Sequence, residues 1–144
     1  NVIGYNRTKK KPGVPQVPIE KLLKNSDIVS INLALNNETK LFLNRDRLNL
    51  IKPTSILVNV SPEDLIDQEA VYEMLTSNRL AGYAYETDEG KTYPIQKKLI
   101  QLDSVVATPH MAWFTYESEQ RVKDMTIKNL QAMVKGEPIN NVAA

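Results

Sequence analysis

The stretch DIVSINLALNNETKLFLNRDRLNLIKPTSILVNV, Asp27 to Val60, holds two apolar runs separated by one amphipathic segment. In DIVSINLAL the apolar residues are nearly continuous rather than alternating, and SILVNV at Ser55–Val60 has the same character. Short runs of this kind read as strands buried on both faces, the pattern of a parallel sheet. Between them NRDRLNLI reads as a brief helix, closed by Lys52 and Pro53 because proline cannot continue it. Strand, helix and strand in this order form a parallel crossover unit.

Outward from this unit the alternation continues. Upstream, NVIGY reads as a strand, followed by the polar turn NRTKK, the three-proline loop KPGVPQVP and a helix over Ile19–Asn25. Downstream, Asp67 stands in a helix N-cap position ahead of QEAVYEMLTSN. LAGYAY at Leu80–Tyr85 and SVVAT at Ser104–Thr108 read as two more strands. From Tyr116 to Lys135, Val122, Met125, Ile127, Leu130, Met133 and Val134 fill a broad helical arc, which Gly136 and then Pro138 stop. The pattern predicts an α/β fold with one doubly wound parallel sheet covered on both faces. Helices at Ala70–Leu75 and Val122–Val134 are expected to cover strands Ile28–Leu33 and Ile56–Val60. Ligands of such sheets bind at the carboxyl ends of the strands. The loops after Tyr5, Leu33, Val60, Tyr85 and Ala107 are therefore the ones to read for chemistry, and the only histidine, His110, lies in the last.

Bulk properties exclude several classes. A chain of 144 residues fits one domain. Its net charge of +1 supplies no overall field toward nucleic acid or an anionic membrane. No apolar run approaches the length of a membrane span. The absence of cysteine removes disulfides, thiolate zinc sites and cysteine nucleophiles, leaves no metal site to expect, and suits a reducing cytoplasm. The chain opens at Asn1 inside what reads as a strand, as a fragment of a longer protein would.

Taken in order, VIGYNR, the Asp27–Val60 stretch, LIDQEAVYEMLTSNRLAGYAYE, ATPHMAW and IKNLQAMVKGEPINNV resemble the nucleotide-binding domain of the D-isomer-specific 2-hydroxyacid dehydrogenases. The likeness runs through nearly the whole chain at family spacing, and TPHMAW is most similar to the glycerate and hydroxypyruvate reductase branch. It implies a Rossmann-like fold, with residues 1–144 forming part of an NAD(P)-binding domain. The substrate domain, the first strand of the nucleotide fold and its glycine-rich loop would all precede Asn1. No G-x-G-x-x-G occurs here, so this piece alone is expected to hold a dinucleotide poorly. The implied reaction is NAD(P)-dependent interconversion of a small 2-oxo acid and its 2-hydroxy acid, in a protein that forms a homodimer.

The resemblance also implies roles for the loops. Asn6 stands where members that prefer NAD carry an acid for the ribose 2′-hydroxyl, and Arg7, Thr8, Lys9 and Lys10 follow it. A carboxylate there repels a 2′-phosphate, whereas an arginine grips one in bidentate fashion. NADP is therefore favoured over NAD, with Arg7 and Thr8 as contacts; a solvated basic turn is the plainer alternative. Leu33 and Ala34 fall beside the adenosine and ribose, and Asn59, Val60 and Ser61 beside the nicotinamide. Glu86 takes the place of an aspartate that accepts from the nicotinamide carboxamide, the alternative being an exposed loop acid. His110 aligns with the catalytic acid/base, which also borders the cofactor. Imidazole suits that role because it exchanges a proton near neutral pH.

Two usual partners of that histidine do not match. Pro62 holds the place of the arginine that clamps the substrate carboxylate, and Glu63 and Asp64 beside it are expected to repel an anion. Lys91 falls near the place of the glutamate that pairs with the histidine, leaving Glu89 or Asp88 as substitutes. Arg79, in SNRLAG, is a poor replacement for the clamp. These departures keep a second class open, a catalytically inactive dinucleotide-binding or regulatory homologue.

Overall fold

The strands of the sheet pair in the order in which they occur in the sequence. The computed structural model describes residues 1–8, 13–87 and 94–140. Strands β1 (Ile28–Ile31), β2 (Ile56–Asn59), β3 (Gly82–Glu86) and β4 (Val105–Thr108) lie in the order β1-β2-β3-β4, all parallel. The register sets Ile28 beside Ile56, Leu57 beside Tyr83, and Glu86 beside Thr108. Before and between them in sequence run α1 (Ile19–Asn25), α2 (Arg45–Leu48), α3 (Gln68–Thr76) and α4 (Gln96–Leu99), and α5 (Tyr116–Val134) follows β4 in the chain. This is the α/β architecture with a parallel sheet that the alternation predicts.

The helix starts follow from their capping residues. Asp67 accepts from the backbone N–H of Ala70 at 2.9 Å, as its position predicts, and Asn44 accepts from that of Arg47 at 3.1 Å. Thr115 and Ser118 close a capping box on α5, at 3.1 and 2.9 Å. At its far end Gly136 takes φ +75°, the left-handed turn that glycine allows, and Glu137 N–H reaches the Ala132 carbonyl at 3.0 Å.

Burial alternates along the strands, against the expectation of two covered faces. Val29, Ile31, Leu57, Tyr83 and Tyr85 are buried, whereas Ile28 is 65 % exposed and Val106 62 %. Topology is the cause. Crossovers between parallel strands are right-handed, so strands laid down in sequential order put their connecting helices on one face. On that face Leu23 of α1, Leu48 of α2, Val71 of α3 and Leu99 of α4 are fully buried in one cluster with Leu57.

Two other expectations are corrected. NVIGY forms a single bridge, Gly4 with Gln16, rather than a strand. Its partner segment carries Pro15 and Pro18, which have no N–H to donate, so the ladder stops after Gly4 N–H to Pro15 and Val17 N–H to Gly4. A cavity of about 390 Å³, lined by Val2, Tyr5, Leu22, Val29 and Ile31 among others, lies between this segment and β1, the edge strand. The second correction concerns α5. The chain divides into one compact unit, Asn1–His110, and another, Met111–Ala144. Helix α5 belongs to the second, and none of its residues is buried, so the apolar arc Val122–Val134, expected to pack, is exposed. No described helix is long and apolar enough to cross a membrane.

Candidate functional site

Parallel strands bring the ends of β1 to β4 to one edge, and the residues singled out in the sequence follow those ends. Asn59 closes β2 and is fully buried. Its side-chain oxygen accepts from the Ser61 N–H at 3.1 Å, while the Ser61 hydroxyl donates to the Ile31 carbonyl at the end of β1, also at 3.1 Å. Val60, between them, is 47 % exposed. Leu33, half-buried, and Ala34, exposed, lie just beyond the end of β1, since the strand stops at Ile31.

Glu86 and His110 occupy adjoining strand ends. Glu86, the last residue of β3, is 9 % exposed and accepts from the Thr108 hydroxyl, so it is not an exposed loop acid. Thr108 ends β4, and its carbonyl accepts from the N–H of Thr87 at 2.8 Å and of His110 at 3.0 Å. That tight return puts His110 at φ +47°, a left-handed backbone that costs a residue with a Cβ but that histidine adopts more readily than most. His110 is an exposed residue at the strand end.

Arg7 reaches the same edge from the amino-terminal segment, pairing with Glu38 in the loop that follows β1. Asn6 is half-buried and Thr8 exposed. Lys9, Lys10, Asp88, Glu89 and Lys91 lie outside the described residues. Arg79 stands ahead of β3, at the amino end of the sheet, where it donates to Ser77 and to Asn49, each at 3.0 Å. It therefore cannot serve as a clamp at the opposite edge.

Below the β2 loop lies a buried polar cluster that the sequence reading did not anticipate. Glu63 is 2 % exposed and accepts from Gln96 at 2.6 Å, which corrects the expectation that its charge faces an incoming anion. Pro62 holds extended backbone ahead of the short 3-10 turn Glu63–Leu65, and that turn carries Glu63 inward. Gln68 donates to the Tyr83 hydroxyl at 3.0 Å, and the rings of Tyr83 and Tyr85 stack at 4.9 Å. Burial first, and then the nearby Glu63 carboxylate, pushes the Tyr85 hydroxyl up to about 12. Tyr83 is pushed up as well, chiefly by burial. The only advance signal for this cluster is the density of Tyr, Gln and Glu at strand and helix ends, which an exposed loop would show equally.

The residues on this edge suit a dinucleotide better than a metal. Among the described residues no group of three metal-ligating side chains occurs. The edge instead offers a cation at Arg7, apolar surface at Leu33 and Val60, and polar groups at Ser61 and Glu86. Asn59 adds a fully buried side-chain amide beneath the strand ends.

Comparison with known proteins shows the family of the chain. Residues 1–112 match the family model of the D-isomer specific 2-hydroxyacid dehydrogenase, NAD binding domain. A glyoxylate reductase of Korarchaeum cryptofilum is 38 % identical over 128 residues, 89 % of this chain and 39 % of that protein. A hydroxypyruvate reductase of Thermotoga maritima is 35 % identical over 125 residues, 84 % of this chain and 41 % of that protein. Among solved structures, an acyclic imino acid reductase in complex with NADPH and D-Arg superposes with a TM-score of 0.83 at 34 % identity, over 99 % of this chain and 46 % of that one. The chain thus spans less than half the length of these relatives.

Proposed function

The chain belongs to the D-isomer specific 2-hydroxyacid dehydrogenases through their NAD binding domain, and on that premise we propose that it works in an NAD(P)-dependent reductase of small 2-oxo acids. The observation that carries this reading is the adjoining pair of strand ends where Glu86 and His110 stand two hydrogen bonds apart, through Thr108. Glyoxylate and hydroxypyruvate, the substrates in the relatives' names, are the acids to test first.

In this reading Asn6, Arg7 and Thr8 hold the adenosine ribose, with the 2′-phosphate of NADP(H) on Arg7, and Leu33 and Ala34 flank the adenosine. Asn59, Val60 and Ser61 border the nicotinamide, and Glu86 accepts from its carboxamide. When bound, the reduced nicotinamide supplies a hydride to the carbonyl carbon. Protonated His110 gives its proton to the carbonyl oxygen and is left neutral; solvent restores the proton before the next turnover. The complete protein is read as a cytoplasmic homodimer.

A second reading has its own observation. Pro62 occupies the β2 loop where a carboxylate clamp would stand, and Glu63 turns inward beside it, so this loop offers no cation to the substrate. That favours a dinucleotide-binding homologue without turnover. Following NADPH and NADH oxidation against glyoxylate, hydroxypyruvate and pyruvate in the complete gene product separates the two. Turnover that vanishes in His110→Ala supports the reductase. Tight NADPH binding with no turnover supports the homologue.

A further inference from the structure

Arg7 and Glu38 form an ion pair across thirty-one positions of sequence, with side chains 70 % and 69 % exposed. Neither end is a loose tether. The Asn36 side-chain oxygen accepts from the backbone N–H of Glu38 at 2.9 Å and of Thr39 at 3.0 Å, and the Thr39 hydroxyl donates to the Ala34 carbonyl at 2.7 Å. These bonds fix the turn that presents Glu38. On the other side Tyr5 stacks on Phe42 at 5.8 Å, and Arg47 lies over the Phe42 ring at 4.2 Å while donating to its carbonyl. The segment leading into Arg7 and the loop after β1 are therefore joined by stacking as well as by charge.

We propose that Glu38 sets the cofactor preference of this chain, by holding Arg7 as a competitor of the ribose 2′-phosphate. The inference rests on the reading of Arg7 as the phosphate contact. A 2′-phosphate must share the guanidinium with the Glu38 carboxylate, which occupies its Nη1, or displace it, and in either case sits near a like-charge neighbour. An unphosphorylated ribose leaves the pair intact. Glu38 thus weakens NADP(H) and leaves NAD(H) alone, which draws the two cofactors toward parity. Because both side chains are exposed, the penalty is about twofold to fivefold at low salt and shrinks as salt rises. Sequence inspection favours NADP on Arg7 alone; the opposing carboxylate becomes visible only when the fold brings position 38 to position 7.

The test uses the complete gene product with two probes, adenosine 2′,5′-bisphosphate and 5′-AMP, which differ by the phosphate in question. Glu38→Gln is expected to tighten the bisphosphate about twofold to fivefold with no change for 5′-AMP. In an Arg7→Ala background the same substitution should do nothing, since the pair is already gone. Should Arg7→Ala weaken the bisphosphate while Glu38→Gln leaves it unchanged, or tightens both probes equally, the inference about Glu38 is overturned and the phosphate role of Arg7 stands. Should Arg7→Ala leave bisphosphate binding unchanged, both the role of Arg7 and the inference built on it fall.

Discussion

The hydroxyl of Thr108 donates to the carboxylate of Glu86, joining the last residues of β3 and β4, which are register partners in the sheet. A mostly buried carboxylate needs such donors, because desolvating it without them is costly. Thr108→Val keeps the shape and removes the hydroxyl. We expect a loss of about 1–3 kcal/mol in urea unfolding, with Thr108→Ser close to the parent. A Thr108→Val midpoint equal to that of the parent would show that the bond contributes nothing.

His110 separates backbone strain from chemistry. At φ +47° a Cβ is disfavoured, so His110→Gly relieves strain while loosening the unfolded chain, and the two effects nearly cancel. Its melting point should stay near the parent's. His110→Val, β-branched in a left-handed position, should lose about 1–2 kcal/mol. Equal losses from both variants would contradict the backbone geometry. Turnover lost in His110→Gly can then be assigned to the imidazole.

The two faces of β2 predict opposite responses to one change. Leu57 is fully buried, and Leu57→Asp should abolish cooperative folding, with Leu57→Ala costing about 2–5 kcal/mol. Its neighbour Ile56 is 43 % exposed on the other face, and Ile56→Asp should cost less than about 1 kcal/mol. Circular dichroism melts of the three variants decide it; comparable losses from Leu57→Asp and Ile56→Asp would mean that both faces are covered.

Alkaline pH should attack the tyrosine pair. Tyr85 ionises at about 12 in the fold and near the ordinary value of about 10 when unfolded. A hydroxyl raised by folding contributes stability that is fully present below pH 10 and is lost as pH rises toward 12. Unfolding free energy should therefore fall across that window, and phenolate absorbance from Tyr83 and Tyr85 should rise at higher pH in the folded protein than in the urea-unfolded chain. A Tyr83→Phe, Tyr85→Phe double variant with an identical alkaline slope would remove this explanation.

Much of the fold can be read from residue order, and the exceptions are physical. Asp67, Gly136 and the apolar strands from Ile28 onward are local signals, and each appears within about two residues of where it is expected. Burial on a single face was not local: Ile28 and Leu57 are equally apolar, and only strand order with crossover hand decides which of them meets a helix. The bridge at Gly4 needed the partner's prolines to be weighed alongside the strand's own residues. The placement of Glu86 and His110 at adjoining strand ends was legible because strand ends are predictable. The inward turn of Glu63 and the pairing of Glu38 with Arg7 were not, because each depends on a loop meeting a residue about thirty positions away.

Sequential strand order also says how the sheet can be made. Each of β2, β3 and β4 takes as a partner the strand completed just before it, and each intervening helix docks on the same side. A ribosome delivering this chain from its amino end releases β1, then β2, then β3 and β4 in the order in which they pair. Domains fold amino-end first during synthesis, and here no strand need wait for a later one before finding its place. The strand ends carrying Glu86 and His110 are then the last of these four to meet, so a nascent chain stalled short of β4 would hold β1 to β3 without the bond from Thr108 to Glu86.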